Sequence, residues 1–293
     1  MKKFVLAAAL FVVMAAPASA YTSYLKPEAF WPEGDEVQVE GSFANQFFTP
    51  AIAVPAELVG TNPDGSSAAF ARVNVQGAAT MLEADLPDGG TYRISTGEQL
   101  GNVTTLVGEN GQWRGLRPDE TPAADAPTTT LQTITVADTY VTRGQATRDV
   151  VDQPQGRLAI HPITHPNQVL AANGLEVEIL FDGAPLANSA VVLYGAGDAD
   201  TDLDRYVVTD AAGRATFAFD APGQYVIAAR HRANMPAGSA AQVGSFTTTL
   251  TFEALTAVPA GYDVAAQRNE AREAAERRAR AERRRSGSRL TRP

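Results

Sequence analysis

The fold is decided by the stretch that contains Tyr-Val-Thr-Arg-Gly (140–144), His-Pro-Ile-Thr-His-Pro-Asn (161–167) and Leu-Phe-Asp-Gly-Ala-Pro-Leu (180–186). This stretch closes a first β-rich unit and opens a second one. It also holds two of the three histidines in the 293-residue chain. The junction between the two units is therefore the first place to look for function.

The second unit has the clearest pattern in the sequence. Short runs of β-type residues recur at about the 8–12-residue spacing of an all-β sandwich, separated by turn formers such as Asp182-Gly183 and Pro222-Gly223. The runs cover residues 158–163, 175–181, 190–194, 205–209, 215–219, 225–229 and 247–252. Seven such strands predict an immunoglobulin-like domain over residues 151–256.

The first unit, residues 21–150, also alternates β-type runs with turns and shows no helical period. Residues 81–86 and 91–95 flank Pro-Asp-Gly-Gly (87–90), which predicts a hairpin. Residues 131–136 alternate with period two and predict the last long strand of the unit. The predicted fold class is therefore all-β, with two β-sandwich domains.

Residues 1–20 have the pattern of a secretory signal peptide. Lys2 and Lys3 precede an apolar run, and Ala18-Ser19-Ala20 forms a small-x-small cleavage site. The chain has no cysteine, which excludes a lipid anchor at that site and any disulfide. We therefore expect a soluble chain that begins at Tyr21 and is periplasmic or secreted.

The C-terminal tail, residues 257–293, differs in composition from the rest. Its segment 262–293 has ten arginines against five acidic residues, whereas the whole chain has a net charge of −9. It is predicted to form a solvated helix or a disordered basic arm. Its expected contacts are anionic lipid or an acidic protein face, with no nucleic acid in a periplasmic location.

The three histidines are the only imidazole candidates for a metal site. Proline follows both His161 and His165, which disfavours a helix there and leaves an extended His-x-x-x-His pair. Two imidazoles form a weak site, so His231 or a carboxylate is needed as a third ligand for Ni²⁺, Co²⁺, Zn²⁺ or Cu²⁺. The alternative is that these histidines cap loop carbonyls or pack at the domain junction.

The acidic run Gly-Asp-Ala-Asp-Thr-Asp-Leu-Asp (197–204) suggests Ca²⁺ ligands, but an EF-hand would need glycine at position 203 and glutamate at 209. Leu203 and Thr209 stand there, so a polar hairpin tip is favoured. The metalloprotease, serine-hydrolase, P-loop and dinucleotide-binding motifs are missing from the sequence. We therefore predict no enzymatic activity.

Several turn motifs, in their order and spacing, resemble a known family. They are Thr-Tyr-Val-Thr-Arg-Gly (139–144), Thr-His-Pro-Asn (164–167), Leu-Phe-Asp-Gly-Ala-Pro-Leu (180–186), Thr-Asp-Ala-Ala-Gly-Arg (209–214) and Ala-Pro-Gly-Gln-Tyr (221–225). Over residues 21–256 the chain is similar to a periplasmic family of unknown function that forms the soluble component of cobalt- and nickel-type uptake systems.

The resemblance implies a non-enzymatic binding or accessory protein for divalent-metal uptake beside an envelope transporter or receptor. It would have His161, His165 and His231 as metal ligands. The chain departs from the family pattern at Tyr21, where members begin with a histidine. The alternative function is a structural or protein-interaction module of the cell envelope that has no metal site.

Overall fold

The computed structural model of the chain describes residues 21–117 and 119–257. The predicted signal peptide and the predicted basic tail from residue 258 onward lie outside the described residues. The described part is built from strands and contains one short 3₁₀ helix, Pro166–Gln168. The all-β prediction is therefore confirmed. Within the described residues, no helix is long and apolar enough to cross a bilayer.

Eleven strands lie in the described residues before position 150. They are β1 (Thr22–Pro27), β2 (Glu36–Ala44), β3 (Ile52–Ala53), β4 (Val59–Thr61), β5 (Ser67–Ala68), β6 (Phe70–Gln76), β7 (Ala79–Asp85), β8 (Gly90–Ser95), β9 (Gln99–Glu109), β10 (Gln112–Gly115) and β11 (Thr128–Arg143). The predicted strand at 131–136 is the centre of β11. The predicted hairpin at 81–95 is wrong, because β7 pairs with β2 and β6 whereas β8 pairs with β11 and β4.

Nine further strands follow in the described residues. They are β12 (Leu158–Pro162), β13 (Val169–Leu170), β14 (Leu175–Phe181), β15 (Ala184–Pro185), β16 (Ala190–Gly195), β17 (Tyr206–Val208), β18 (Arg214–Phe217), β19 (Gly223–Asn234) and β20 (Val243–Leu255). Two short strands, β13 and β15, were not predicted. All seven runs predicted for the second unit are strands. β19 and β20 extend beyond the predicted runs 225–229 and 247–252 at both ends.

The strands form three layers. The central layer is an 11-stranded sheet. Eight of its strands follow the order β17-β16-β19-β20-β11-β8-β4-β5, β9 pairs with β11 and β10, and β13 pairs with β20. A five-stranded sheet of β1, β2, β3, β6 and β7 packs on one of its faces, and a four-stranded sheet of β12, β14, β15 and β18 packs on the other. The two interfaces are two sandwiches that share the central sheet.

Alternation along β11 explains how one strand serves both cores. Ala137 and Val141 point into the core that β2 and β7 cover. Ile134 and Tyr140 point into the core that β12 and β14 cover. Successive side chains of a strand point to opposite faces, so β11 supplies apolar side chains to both cores.

The two predicted units are joined through this central sheet. β11 of the first unit pairs in parallel with β20 of the second unit, from Leu131 opposite Val243 to Thr139 opposite Thr251. The strand that ends the first unit thus lies in the middle of the sheet that supports both sandwiches. The boundary at residue 150 stays a prediction.

Candidate binding site

His165 lies at the junction of the two units and begins the 3₁₀ helix. Its Nδ1 accepts a hydrogen bond from the Asn167 amide at 3.2 Å, and its Nε2 lies 3.0 Å from the Thr147 carbonyl oxygen. The ring is buried. Burial, reinforced by the nearby Arg148 charge, lowers the pKa of His165 to about 3. His165 therefore caps the 3₁₀ helix through Nδ1 and faces a loop carbonyl through Nε2.

His161 lies on β12 between two carboxylates. Its Nδ1 is 3.1 Å from Glu178 Oε2, and its Nε2 is 3.4 Å from Asp152 Oδ1. Arg148 Nη2 donates to the same Asp152 oxygen at 2.8 Å. Burial opposes the charged imidazole, but the two carboxylates outweigh it and raise the pKa of His161. Asp152, His161, Glu178 and Arg148 therefore form a largely buried ionic group near the boundary of the two units.

His231 lies on β19, in a different part of the second unit. Its ring meets Phe181 edge-to-face, with 4.5 Å between the centroids. The structure thus places the three predicted ligands in three separate environments. Across residues 21–117 and 119–257, no group of three histidine or acidic side chains has the geometry to hold a metal ion. The predicted ligand set of His161, His165 and His231 gains no support from this geometry.

The acidic loop turns its carboxylates to partners within the protein. Asp198 pairs with the Arg205 guanidinium and accepts from the Gly195 amide at 2.7 Å. The Asp200 carboxylate is buried and accepts from Thr22 Oγ1 at 3.4 Å. These contacts fit a closed, polar hairpin tip.

Asn167 connects the two units through its side chain and its backbone. Its side-chain amide donates to the Tyr140 carbonyl at 2.7 Å and to the Phe30 carbonyl at 3.3 Å, and its Oδ1 accepts from Thr142 Oγ1 at 3.0 Å. Its carbonyl accepts from the Trp31 indole at 2.7 Å. Asn167, a residue of the second unit, is therefore hydrogen-bonded to four residues of the first unit.

We expect Asn167→Ala to lower the free energy of unfolding by about 2 kcal/mol, because it leaves buried carbonyl and hydroxyl groups without partners. Urea unfolding followed by circular dichroism measures this change. The exposed Asn173 is the matched control, since its replacement by alanine should cost less than about 0.5 kcal/mol. Equal stability of the two variants would contradict the role given to Asn167.

A hollow on the described surface lies where the five-stranded sheet stops covering the central sheet. We call it the arginine groove; its volume is about 430 Å³. Its floor is formed by alternate residues of three neighbouring strands: Thr133 and Thr135 of β11, Ser245 and Thr247 of β20, and Arg230 and Arg232 of β19.

Strand register aligns these side chains in two rows. Thr133 lies opposite Ser245, which lies opposite Arg232. The next row joins Thr135, Thr247 and Arg230 in the same way. Each row therefore offers two hydroxyl groups and one guanidinium on one face of the sheet.

The walls of the groove are of mixed character. Phe43 and Pro55 come from the five-stranded side, Leu100 from β9, and Tyr21 to Ser23 from the start of the described chain. A site with apolar walls and a few convergent polar groups is the usual form of a small-molecule pocket, and this volume lies in the usual range of roughly 300–1,000 Å³.

Arg230 is held in place within the protein. It donates to Thr22 Oγ1 at 3.0 Å and to Tyr194 Oη at 3.2 Å, and its guanidinium lies over the Tyr194 ring at 5.9 Å. Thr22 in turn donates to Asp200, so a carboxylate one hydroxyl away partly balances this charge. Burial raises the pKa of Asp200, and the Arg230 charge opposes that rise.

Sequence reasoning missed this groove. Its floor residues come from segments more than a hundred positions apart, such as Thr133 and Ser245, and parallel pairing alone brings them together. A signal was present in Arg-His-Arg (230–232), where two arginines alternate on a predicted strand. It gave no reason to expect hydroxyl groups beside them.

Comparison with known proteins gives a family match and remote structural similarity. A family model described as a domain of unknown function, DUF4198, matches residues 18–233. No curated protein sequence matches significantly.

Solved structures resemble the chain only remotely. The D0-D1 domain of intimin is 13% identical to this chain, with a TM-score of 0.21. The match covers 78% of this chain and 96% of the intimin chain. An alpha-2-macroglobulin from Salmonella has 13% identity and a TM-score of 0.21, and 84% of this chain matches 15% of it. A trypsin-activated alpha-2-macroglobulin from Escherichia coli has 12% identity and a TM-score of 0.20. The match covers 82% of this chain and 16% of the macroglobulin.

Proposed function

The chain belongs to the DUF4198 family, a domain of unknown function, and on that premise we propose that it is a non-enzymatic binding module of the cell envelope. The arginine groove is its binding site. The signal-peptide pattern at 1–20 supports delivery across the membrane. The observation that carries the proposal is the arrangement of the groove floor. Two rows of hydroxyl and guanidinium groups line the groove next to the apolar side chains of its walls.

The position of the groove fits binding better than structural support. Elsewhere on the same face of the central sheet, Ala137 and Val141 are buried under the five-stranded sheet. At Thr133 and Thr135 the covering sheet ends and the side chains become polar. The groove is thus a preformed recess on rigid strands, and strands hold binding groups more precisely than loops do.

Hydrogen–deuterium exchange tests this function. The chain beginning at Tyr21 is compared with and without the dialysable small-molecule fraction of the cell envelope. We expect slower exchange at the strand segments 131–135 and 243–247. Ser245→Phe, which fills the groove, should remove that protection and leave the rest of the sheet unchanged.

Two outcomes would overturn the proposal. Absence of protection with every envelope fraction would favour the structural or protein-interaction alternative. Recovery of the protein only in the cytoplasmic fraction, and not in osmotic-shock fluid, would contradict its envelope location.

A role in divalent-metal uptake, which the family resemblance implied, has no ligand set to support it among the described residues. Both ring nitrogens of His161 and of His165 face protein partners. We expect isothermal titration with Ni²⁺, Co²⁺, Zn²⁺ and Cu²⁺ to show no saturable binding tighter than ~100 µM, or about 5.5 kcal/mol. Tighter binding that His161→Ala abolishes and His231→Ala leaves intact would contradict this expectation.

A further inference from the structure

The arginine groove continues into a second, apolar hollow of about 240 Å³. The residues that line it are Leu106, Trp113, Thr129, Leu131, Arg232 and Val243. Arg232 lines both hollows, so they meet at its side chain.

Strand register explains this continuity. Leu131 lies opposite Val243, two residues before the row of Thr133 and Ser245, so all four point to the same face of the sheet. Moving along β11 and β20, the floor therefore changes from hydroxyl groups to apolar side chains. Trp113 of β10 stands at the apolar end. The whole forms one strip with a polar half and an apolar half.

Arg232 is the charged group at the boundary between the halves. It is exposed, and none of the described residues forms an ion pair or hydrogen bond with its guanidinium. No described lining residue of either hollow is acidic, although the chain as a whole has a net charge of −9. An uncompensated guanidinium in an otherwise acidic protein favours an anionic partner.

Resting on the proposed function, we propose that the strip binds a small amphipathic anion. Its carboxylate, sulfonate or phosphate group lies between Arg232 and Arg230, where Ser245 and Thr247 supply further hydrogen bonds. Its apolar part lies against Trp113 and Leu131. The planar guanidinium of Arg232 binds two oxygens of the anion at once, and the indole supplies a flat apolar surface.

Two fluorescent probes that differ in one charged group test this inference. They are 8-anilinonaphthalene-1-sulfonate and its neutral counterpart N-phenyl-1-naphthylamine, each titrated into the folded chain from Tyr21 onward. We expect saturable binding of both, with the sulfonate bound more tightly. Arg232→Gln should weaken sulfonate binding about tenfold, which corresponds to about 1.4 kcal/mol, and leave the neutral probe within about twofold.

Matched variants separate the contributions. Arg72→Gln removes the same charge from an exposed position on β6 and should change neither probe. Trp113→Ala should weaken both probes, because it removes the apolar surface. Circular dichroism confirms that each variant is folded, and if Trp113→Ala is not, the comparison of Arg232→Gln with Arg72→Gln still decides the role of the charge.

The outcomes distinguish this inference from the function on which it rests. An equal effect of Arg232→Gln on both probes, or no effect on the sulfonate, would overturn the anion specificity and leave the groove as a binding site. Absence of saturable binding by either probe would overturn the strip as a ligand site altogether.

Discussion

Replacing Arg93 by alanine is expected to lower the free energy of unfolding by about 3–5 kcal/mol, because it leaves a buried carboxylate without its partner. Arg93 Nη2 donates to Asp138 Oδ2 at 2.6 Å, and its Nε donates to Oδ1 at 3.3 Å. The two side chains are only 3% and 7% exposed. Arg93 Nη1 also donates to the Gln153 carbonyl at 3.1 Å. Chemical denaturation at neutral pH measures the loss.

Two controls separate the buried charge from the loss of side-chain volume. Arg72→Ala breaks an ion pair whose arginine side chain is 67% exposed, and should cost no more than about 1 kcal/mol. The double variant Arg93→Met/Asp138→Leu removes both charges and should recover much of the stability. A loss in the double variant as large as that in Arg93→Ala would contradict the electrostatic explanation.

Acidification from pH 7 to pH 5 is expected to lower the free energy of unfolding by about 2 kcal/mol through His165. The pKa of this histidine falls from its ordinary 6.5 in the unfolded chain to about 3 in the fold. Between these values the unfolded chain binds a proton that the folded chain does not. The stability due to neutral His165 is therefore complete above pH 6.5 and is lost as the pH falls towards 3.

The hydrogen bonds of His165 explain why the ring stays neutral. Its Nδ1 accepts from the Asn167 amide, so a proton on that nitrogen would face another proton. Its Nε2 lies against the Thr147 carbonyl and is the nitrogen that carries hydrogen. Protonation therefore requires the cap of the 3₁₀ helix to open.

The other histidines define the controls for this measurement. The raised pKa of His161 gives stability that is complete below pH 6.5 and is lost at higher pH, so on acidification from pH 7 it acts against the fall caused by His165. The pKa of His231 is lowered by burial and acts in the same direction as that of His165. Urea unfolding in a His231→Gln background removes the contribution of His231, and adding His165→Gln to that background gives the contribution of His165 as a difference. An equal fall in stability with and without His165→Gln would contradict the assignment.

Much of the fold could be predicted from local sequence pattern. Runs such as Leu175–Phe181 and Tyr225–Ala229 lie between turn residues and became β14 and the centre of β19. Which strands pair could not be predicted in the same way. Tyr92 and Ile94 face Leu82 and Ala84 across a sandwich core instead of lying beside them in one sheet. Alternation along a strand identifies its buried face but does not identify the neighbouring strand.

The candidate site was harder to predict than the fold. Histidine is rare in this chain, which made the three histidines the candidate ligands. In the structure, His165 caps the 3₁₀ helix and His161 lies between two carboxylates. The groove depends on common residues, threonine and serine, whose role arises from the alignment of β11 with β20. Rare residue types are visible in a sequence, whereas an alignment between distant strands is not.

The parallel pairing of β11 with β20 also sets the order in which this protein can fold. The paired residues are 112 positions apart in the chain. One edge of β11 therefore has no partner strand until β20, the last described strand, has been synthesised and has paired with it. Until then the amino-terminal half has unpaired backbone groups, an arrangement prone to aggregation. Contacts of such long range slow folding. Because the central sheet closes late, this half stays open to aggregation until β20 pairs with β11.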